Sequence, residues 1–151
     1  MLRMMMAALA LIVAAQAAAQ TSELPVWLIG NWCLEQGKTK ACVRYEEPVD
    51  GKIRATNIRI DDGVVTNGTT SMTAIEDGRI VRRGTNGTVV REISHGPNEM
   101  LLEVENPTAT QARRIRYSVR GDELTLEFFL PDGTTAVQRY KREPVTSSSV
   151  Q

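Results

Sequence analysis

The sequence predicts an all-β protein that folds as a single antiparallel up-and-down β-barrel of about eight to ten short strands. Turn pairs rich in glycine, aspartate and asparagine recur about every ten residues between Asp50 and Gly133. Between the turns, apolar and polar residues alternate, as over Glu123–Leu130. This period of two buries one face of a strand and leaves the other in water, which is typical of antiparallel sheets.

The chain begins with the features of a secretory signal peptide. Arg3 is followed by an apolar run of about ten residues and by the Ala-x-Ala site Ala17–Ala19, which predicts cleavage after Ala19. The run is shorter than the roughly 20 apolar residues of a spanning helix, so no stable membrane insertion is expected after cleavage. We therefore expect a periplasmic or secreted protein with a signal peptide over 1–19, a barrel over 20–143 and a flexible tail over 144–151.

Composition narrows the classes of partner. The formal net charge of the chain is zero, and loss of Arg3 with the signal peptide leaves about −1. Proteins that bind nucleic acids usually carry a strong basic excess. No nucleic-acid partner is therefore expected.

The two cysteines are predicted to pair. Cys33 and Cys42 flank a segment with Gly37 near its middle, and a hairpin there places the two cysteines opposite each other. An exported protein meets an oxidising compartment, which favours a disulfide over free thiols. A metal site is not expected, because only one histidine, His95, is available to join the two thiols.

The first strand opens with a Gly-x-Trp segment. Gly30 allows the chain to enter from a turn or from a short helix, for which 22–29 has space for one turn. The indole of Trp32 is predicted to plug one end of the barrel. Further along, the phase of the apolar residues changes within 52–60, which predicts a β-bulge near Thr56-Asn57.

The remaining strands follow from the turns and the alternation between them. The predicted turns are Asp50-Gly51, Asp62-Gly63, Asn67-Gly68, Asp77-Gly78, Asn86-Gly87, Gly96-Pro97-Asn98, Gly121-Asp122 and Asp132-Gly133. The residues predicted to face inward are Trp32, Ile53, Ile58, Ile60, Met72, Met100, Leu102, Val104, Ile115, Tyr117, Leu126 and Phe128.

The segment Trp27–Trp32, together with Glu105–Pro107, resembles a bacterial family of exported, lipocalin-like domains of unknown function. Members of that family open with Trp-Leu-x-Gly-x-Trp and later carry Glu-Asn-Pro, a short insert, an Arg-Ile-Arg-Tyr-like strand and a Gly-Asp-x-Leu turn. The resemblance implies a lipocalin-like barrel and assigns no activity. The residues that carry it here are Trp27, Gly30, Trp32, Glu105, Asn106, Pro107, Arg114 and Tyr117.

Nothing in the sequence points to catalysis. Where the family's insert usually carries a histidine and an aspartate, this chain has Ala109 and Thr110, so no activity can be transferred from that pair. His95 lies in a turn sequence that is typical of a solvated residue, and the aspartates fall at turns, where they serve the backbone. No catalytic residue, cofactor or metal is expected.

With catalysis set aside, the sequence is compatible with three kinds of binding function. The apolar inward set suits a core filled by side chains, which the short chain and few aromatics favour, or a cavity that holds one small apolar ligand. A protein partner in the cell envelope, bound at a rim of the barrel, is also compatible with the sequence. The third form is a proteinaceous inhibitor of a periplasmic or secreted hydrolase that uses 20–25 as an exposed plug, although a frayed terminus is the plainer interpretation of that segment. The sequence makes no prediction of oligomeric state.

Arginines recur in two predicted strands and form a candidate anion-binding stripe. If those strands were neighbours, their outward arginines would grip carboxylate or phosphate groups. Cross-strand ion pairs with acids that are predicted to face outward are the simpler interpretation. The stripe would contain Arg79, Arg82, Arg114 and Arg116, and the acids are Glu92, Glu103, Glu123 and Glu127.

Overall fold

Ten strands form along the alternating segments of the chain, and the computed structural model describes residues 21–144. Each strand pairs antiparallel with its neighbours in sequence, and the last strand pairs with the first to close the barrel. The predicted up-and-down barrel is confirmed. The strands are β1 (Gly30–Gln36), β2 (Thr39–Tyr45), β3 (Ile53–Asp61), β4 (Val64–Glu76), β5 (Arg79–Gly84), β6 (Val89–Gly96), β7 (Glu99–Val104), β8 (Arg114–Arg120), β9 (Glu123–Phe129) and β10 (Thr135–Glu143).

The two ends of the barrel are built differently. At one end, here called the closed end, the N-terminal segment 21–29 lies against the β4–β5 and β6–β7 turns. The opposite end, here called the mouth, carries the β5–β6 turn and the long β7–β8 loop over 105–113. The predicted signal peptide, Gln20 and the tail beyond residue 144 lie outside the described residues.

The seam between β1 and β10 is short, as is the pairing of β5 with β6, which also has three residue pairs. Three residue pairs join the strands, with Asn31–Cys33 facing Lys141–Glu143. Towards the mouth, Leu34–Gln36 pair only with β2, and 135–140 pair only with β9. The ladder that closes the barrel therefore covers only the part of this seam nearest the closed end.

A β-bulge lies beside Asn57, as predicted, but the extra residue belongs to the neighbouring strand β4. The register between β3 and β4 shifts so that Gly68 and Thr69 lie opposite Asn57, while the ladder between β2 and β3 runs without interruption. Because β3 keeps its phase, Ile58 and Ile60 lie on the outer face with Cys42 and Lys40. The prediction that these isoleucines face inward is wrong, since an extra residue in one strand leaves the phase of its partner unchanged.

Two further sequence predictions, both in β4, are also wrong. Met72 lies opposite the exposed Arg54 and Arg83, so it faces outward, and Thr73 takes the inward position. Asn67-Gly68 lies inside the long strand β4 and forms no turn. At predicted turns, Asp62 and Asp77 do adopt positive φ, as the tight hairpins require.

Side chains fill the half of the barrel nearest the closed end. Trp32 and Leu102 have no solvent exposure, and other large side chains of the same layer are almost fully buried. Burial of each such side chain contributes roughly 1.5–3 kcal/mol to folding. The fully buried large residues of this core are Trp32, Leu28, Ile53, Met100, Leu102, Leu124 and Val90.

The N-terminal segment is part of this core. A single 3-10 turn forms at Val26–Leu28, in agreement with the predicted helical turn. The Ser22 backbone N–H donates to the Gly78 carbonyl at 3.0 Å, and both Ser22 and Pro25 are buried. The described part of 20–25 is therefore docked on the barrel, and neither an exposed plug nor a frayed terminus describes it. Among residues 21–144, no helix is long and apolar enough to cross a membrane.

The predicted disulfide between Cys33 and Cys42 is present. The two residues lie directly opposite each other in β1 and β2, with their Cα atoms 4.1 Å apart. They alternate with the inward-facing Trp32 and Val43, so the bridge lies on the outer face of the sheet. Closing this short loop stabilises the fold by roughly 2–3 kcal/mol through the unfolded chain.

Candidate functional site

A cavity of about 300 Å³ occupies the half of the barrel nearest the mouth. Inward-facing residues of eight strands form its wall, and the polar residues Asn86, Thr88 and Gln111 stand at its entrance. Its volume corresponds to roughly ten water molecules, at the lower end of the range of small-molecule sites. The residues of its wall are Val43, Tyr45, Ala55, Asn57, Ser71, Arg82, Gly84, Val90, Ile115, Tyr117, Leu126, Phe128, Gln138 and Tyr140.

Arg82 is the one charged side chain in that wall. Within β5, Arg82 alternates with the outward-facing Arg83 and pairs with the buried Thr73 and Val90, which places its side chain inside the barrel. It is half-buried because it is enclosed by the barrel and open to the cavity. Among the residues the structure describes, no carboxylate oxygen lies within 4.0 Å of a guanidinium nitrogen of Arg82.

Tyrosines surround the guanidinium. The Cζ atom of Arg82 lies 5.0 Å from the centre of the Tyr117 ring, close enough for a cation–π contact. Burial, then the neighbouring Tyr117, raises the pKa of Tyr45 far above its ordinary value. Burial alone would lower the pKa of Arg82, but Tyr117 and Tyr45 beside it raise the pKa above its ordinary value. At neutral pH the site therefore holds a cation beside neutral hydroxyls.

Tyr140 adds a further polar group to the cavity wall, from β10. Its hydroxyl donates to Gln138 Oε1 at 2.8 Å, and burial, followed by the neighbouring Tyr117, raises its pKa. Tyr140 also lines a second hollow, which has a volume of about 320 Å³ and a mostly apolar surface. The two hollows share Val43, Asn57 and Tyr140, so the second adjoins the first at β2 and β3. Its wall also includes Arg59, which pairs with Asp61.

A second polar cluster lies at the closed end. The Ser22 hydroxyl donates to Glu92 Oε1 at 2.8 Å, and His95 Nδ1 lies 2.5 Å from the same oxygen. The Ile80 backbone N–H donates to Glu92 Oε2 at 2.8 Å. The Ser22 hydroxyl also lies 3.3 Å from His95 Nδ1, so these contacts anchor the N-terminal segment to β6.

The cluster corrects one sequence interpretation and refines another. Glu92 was expected to face outward, yet it is 4% exposed, because it lies opposite the buried Leu102 on the inner face of β6. His95 is exposed, as expected of a solvated residue, but it lies in β6 beside the last residue of the strand and contacts Glu92. His95 and Trp27 also border a surface groove of about 550 Å³ beside the N-terminal segment.

Glu92 predicts a specific pH dependence of stability. Burial alone would raise its pKa, but the Ile80 N–H, the Ser22 hydroxyl and His95 together lower it below 4.5. A carboxyl with a lowered folded-state pKa stabilises the fold above its unfolded pKa and loses that contribution as pH falls through the folded value. We expect Glu92→Gln to lower the unfolding free energy by about 1.5–3 kcal/mol at pH 7, and by less as the pH falls and the wild-type carboxyl becomes protonated.

Urea unfolding of both proteins between pH 3 and pH 7 measures this difference. The matched control is Glu103→Gln, which removes an exposed carboxylate that pairs with Arg114 at 3.3 Å. Its effect should stay below about 1 kcal/mol at every pH. A gap between wild type and Glu92→Gln that does not narrow in acid would contradict the role given to Glu92.

The structure separates the four arginines of the predicted stripe. Strands β5 and β8 are not neighbours, because β6 and β7 lie between them. Arg114 pairs with Glu103 at 3.3 Å, and Arg116 with Glu127 at 3.2 Å, as cross-strand ion pairs on the outer face. Arg79 donates to the Glu92 backbone carbonyl at the closed end. Arg82 alone points into the barrel, so no outward stripe forms from the four.

The residues that carry the family resemblance are spread over the barrel. Trp27, Gly30 and Trp32 lie at the closed end. Glu105 pairs with Arg91 at 2.8 Å, and Asn106 and Pro107 begin the loop at the mouth, where Asn106 adopts positive φ. Of the eight residues, Tyr117 alone reaches the cavity wall.

Sequence reasoning missed most of the polar cavity residues. Tyr45, Gln138 and Tyr140 were assigned no role, and Arg82 was assigned to the outer face. The signal for Arg82 was ambiguous, because Ile80-Val81-Arg82-Arg83 presents an apolar and a basic residue on each face. Two residues further, Gly84 shares the phase of Arg82, and it lines the cavity as well.

No protein-family model matches the chain. None of the curated proteins matches it either. The resemblance to exported lipocalin-like domains therefore stays a prediction. Within residues 21–144, no cluster of histidine, cysteine, aspartate and glutamate has the arrangement of a metal site.

Proposed function

We propose that this protein is a non-catalytic binding protein that holds one small organic ligand inside its barrel. The observation that supports the proposal most strongly is the cavity of about 300 Å³ at the mouth, above the fully packed half nearest the closed end. Small barrels either fill their interior with side chains or hold a ligand there. Here the filling stops halfway, at Ala55, Ser71 and Gly84, whose small side chains leave space.

The lining has the character of a ligand site. Phe128, Leu126, Ile115 and Val90 provide apolar surface, and polar side chains line the region around Arg82 and the entrance. Small-molecule sites likewise combine apolar surface with polar groups that fix the orientation of the ligand. Export to the periplasm or outside the cell is part of the same proposal, and the disulfide between Cys33 and Cys42 is compatible with it.

A fluorescence titration tests the proposal. N-phenyl-1-naphthylamine, a neutral probe that brightens in apolar surroundings, should bind the folded protein with saturation at one molecule per barrel. Ser71→Phe places an aromatic ring in the cavity and should weaken binding at least tenfold. Ser71 lies on the inner face of β4 opposite Gly84, so the phenylalanine ring would occupy the cavity.

Met72→Phe is the matched control, because the neighbouring side chain points outward and lies opposite Arg54 and Arg83. It should bind the probe as the wild type does. Thermal unfolding of each variant establishes that it is folded. Equal binding by the two variants would place the probe outside the barrel, and absence of saturable binding by the wild type would overturn the proposal.

A further inference from the structure

We infer that the ligand is an anionic amphiphile, with a singly charged carboxylate paired with Arg82 and an apolar chain that runs towards the seam between β1 and β10. This inference rests on the proposed function, since it names the chemical class that the same cavity takes. The cavity, the position of Arg82 and the opening in the wall each contribute one part of the argument.

The first part is the lack of a carboxylate beside Arg82. Neighbouring arginines that face outward are paired, such as Arg83 with Glu76 at 2.8 Å and Arg91 with Glu105 at 2.8 Å. For Arg82, no carboxylate of the described chain lies within ion-pair distance. Enclosing a cation without a counter-ion costs free energy, and an anionic ligand would offset that cost.

The second part is the set of groups around the cation. Tyr45 and Tyr117 lie beside the guanidinium, and their neutral hydroxyls can donate hydrogen bonds to a carboxylate. A guanidinium binds a carboxylate through two parallel N–H groups. One cation offsets one negative charge, so a doubly charged phosphate would leave a second charge without compensation in the barrel.

The third part is the direction open to the rest of the ligand. Arg82 lies in the middle of β5, below the mouth, so a bound carboxylate would be the deepest part of the ligand. The second hollow continues from Val43 and Tyr140 to Gln36. In that region β1 and β10 are not paired with each other, so no ladder hydrogen bonds join the two strands beside the chain. An extended apolar chain fits this path better than a compact ring system.

Isothermal titration calorimetry with octanoate and 1-octanol tests the charge. These probes share one chain and differ in the head group. The wild type should bind octanoate at least tenfold more tightly than 1-octanol. Arg82→Met should remove that preference and leave the affinity for 1-octanol within threefold. Arg83→Met, which changes the outward neighbour that pairs with Glu76, should behave as the wild type does.

The outcomes separate this inference from the proposed function. Equal affinity of the wild type for octanoate and 1-octanol would overturn the inference and leave the barrel as a binding site for neutral ligands. If neither compound binds, and N-phenyl-1-naphthylamine also fails to bind, both fail. The comparison of octanoate with 1-octanol on the wild type needs no variant, so it tests the inference even if Arg82→Met does not fold. Arg82→Lys then supplies a second test, because it keeps the charge and should retain part of the preference.

A series from butyrate through octanoate to decanoate tests the path of the chain. Each added methylene that enters an apolar hollow should tighten binding, since its burial contributes about 0.8 kcal/mol, or roughly fourfold in affinity. Affinity that stops rising after butyrate would overturn the extended-chain part of the inference.

Discussion

Trp32→Ala is expected to lower the unfolding free energy by about 3–5 kcal/mol, the largest effect of any single substitution considered. The indole has no solvent exposure and lies between the 3-10 turn and the seam of the barrel. Its Nε1–H donates to the Leu28 carbonyl at 2.7 Å. The guanidinium carbon of Arg142 lies 4.1 Å from the centre of the ring. Alanine would leave a cavity and remove both contacts.

The seam makes this substitution more damaging than an ordinary core truncation. Trp32 lies opposite Arg142 in the middle of the three pairs that join β1 to β10. Loss of the ring releases the side chain that holds the strands together at the closed end. Unfolding in guanidinium chloride, followed by far-ultraviolet circular dichroism, measures the loss of unfolding free energy without depending on tryptophan fluorescence.

Trp32→Phe separates packing from the hydrogen bond. Phenylalanine keeps an aromatic ring beneath Arg142 but leaves the Leu28 carbonyl without the indole donor. We expect a cost of about 1–3 kcal/mol, the usual penalty for an unsatisfied buried acceptor. If Trp32→Ala costs no more than Trp32→Phe, the ring does not plug the closed end.

Gly30→Ala is expected to cost about 2–4 kcal/mol, from backbone strain and a lost hydrogen bond. Gly30 has a φ of 135°, a conformation that residues with a Cβ rarely adopt. An added Cβ would lie 2.5 Å from Nη1 of Arg142, the nitrogen that donates to the Ile29 carbonyl at 2.8 Å. The arginine can move away, but only by giving up this bond and its position over Trp32.

Gly96→Ala is the matched control, because Gly96 does not have a positive φ and an added Cβ would meet nothing within 4 Å. It should change the unfolding free energy by less than about 0.5 kcal/mol. Thermal and urea unfolding of the two variants provide the comparison. A similar, small effect of both would mean that the entry to β1 tolerates a side chain.

Trp32, Gly30 and the disulfide show which kinds of inference the sequence supports well. Each depends on residues close together along the chain: a glycine two residues before a tryptophan, and two cysteines either side of one hairpin. Within a hairpin the register follows from the turn, so Cys33 and Cys42 face each other as soon as the turn is placed. The same local rule predicts the turns at Asp62 and Asp77.

The candidate site depends on relations that no local pattern contains. Arg82 and Arg83 look alike in sequence, and the register of β5 against β4 and β6 decides which one enters the barrel. One extra residue in β4 places the bulge opposite Asn57 and leaves Ile58 outside. A one-residue difference in register exchanges the two faces of a strand. An error of one residue in the predicted phase therefore assigns a cavity-lining residue to the outer surface.

By itself, the amino-acid sequence determined the architecture and the disulfide, because alternation, turn residues and hairpin pairing act over a few neighbouring residues. Only the tertiary structure decided that the interior is filled at the closed end and hollow at the mouth. That division depends on which side chains from eight strands meet at one level of the barrel. Tyr45, Arg82, Tyr117 and Tyr140 come from four different strands, and closure of the barrel brings them around one cavity.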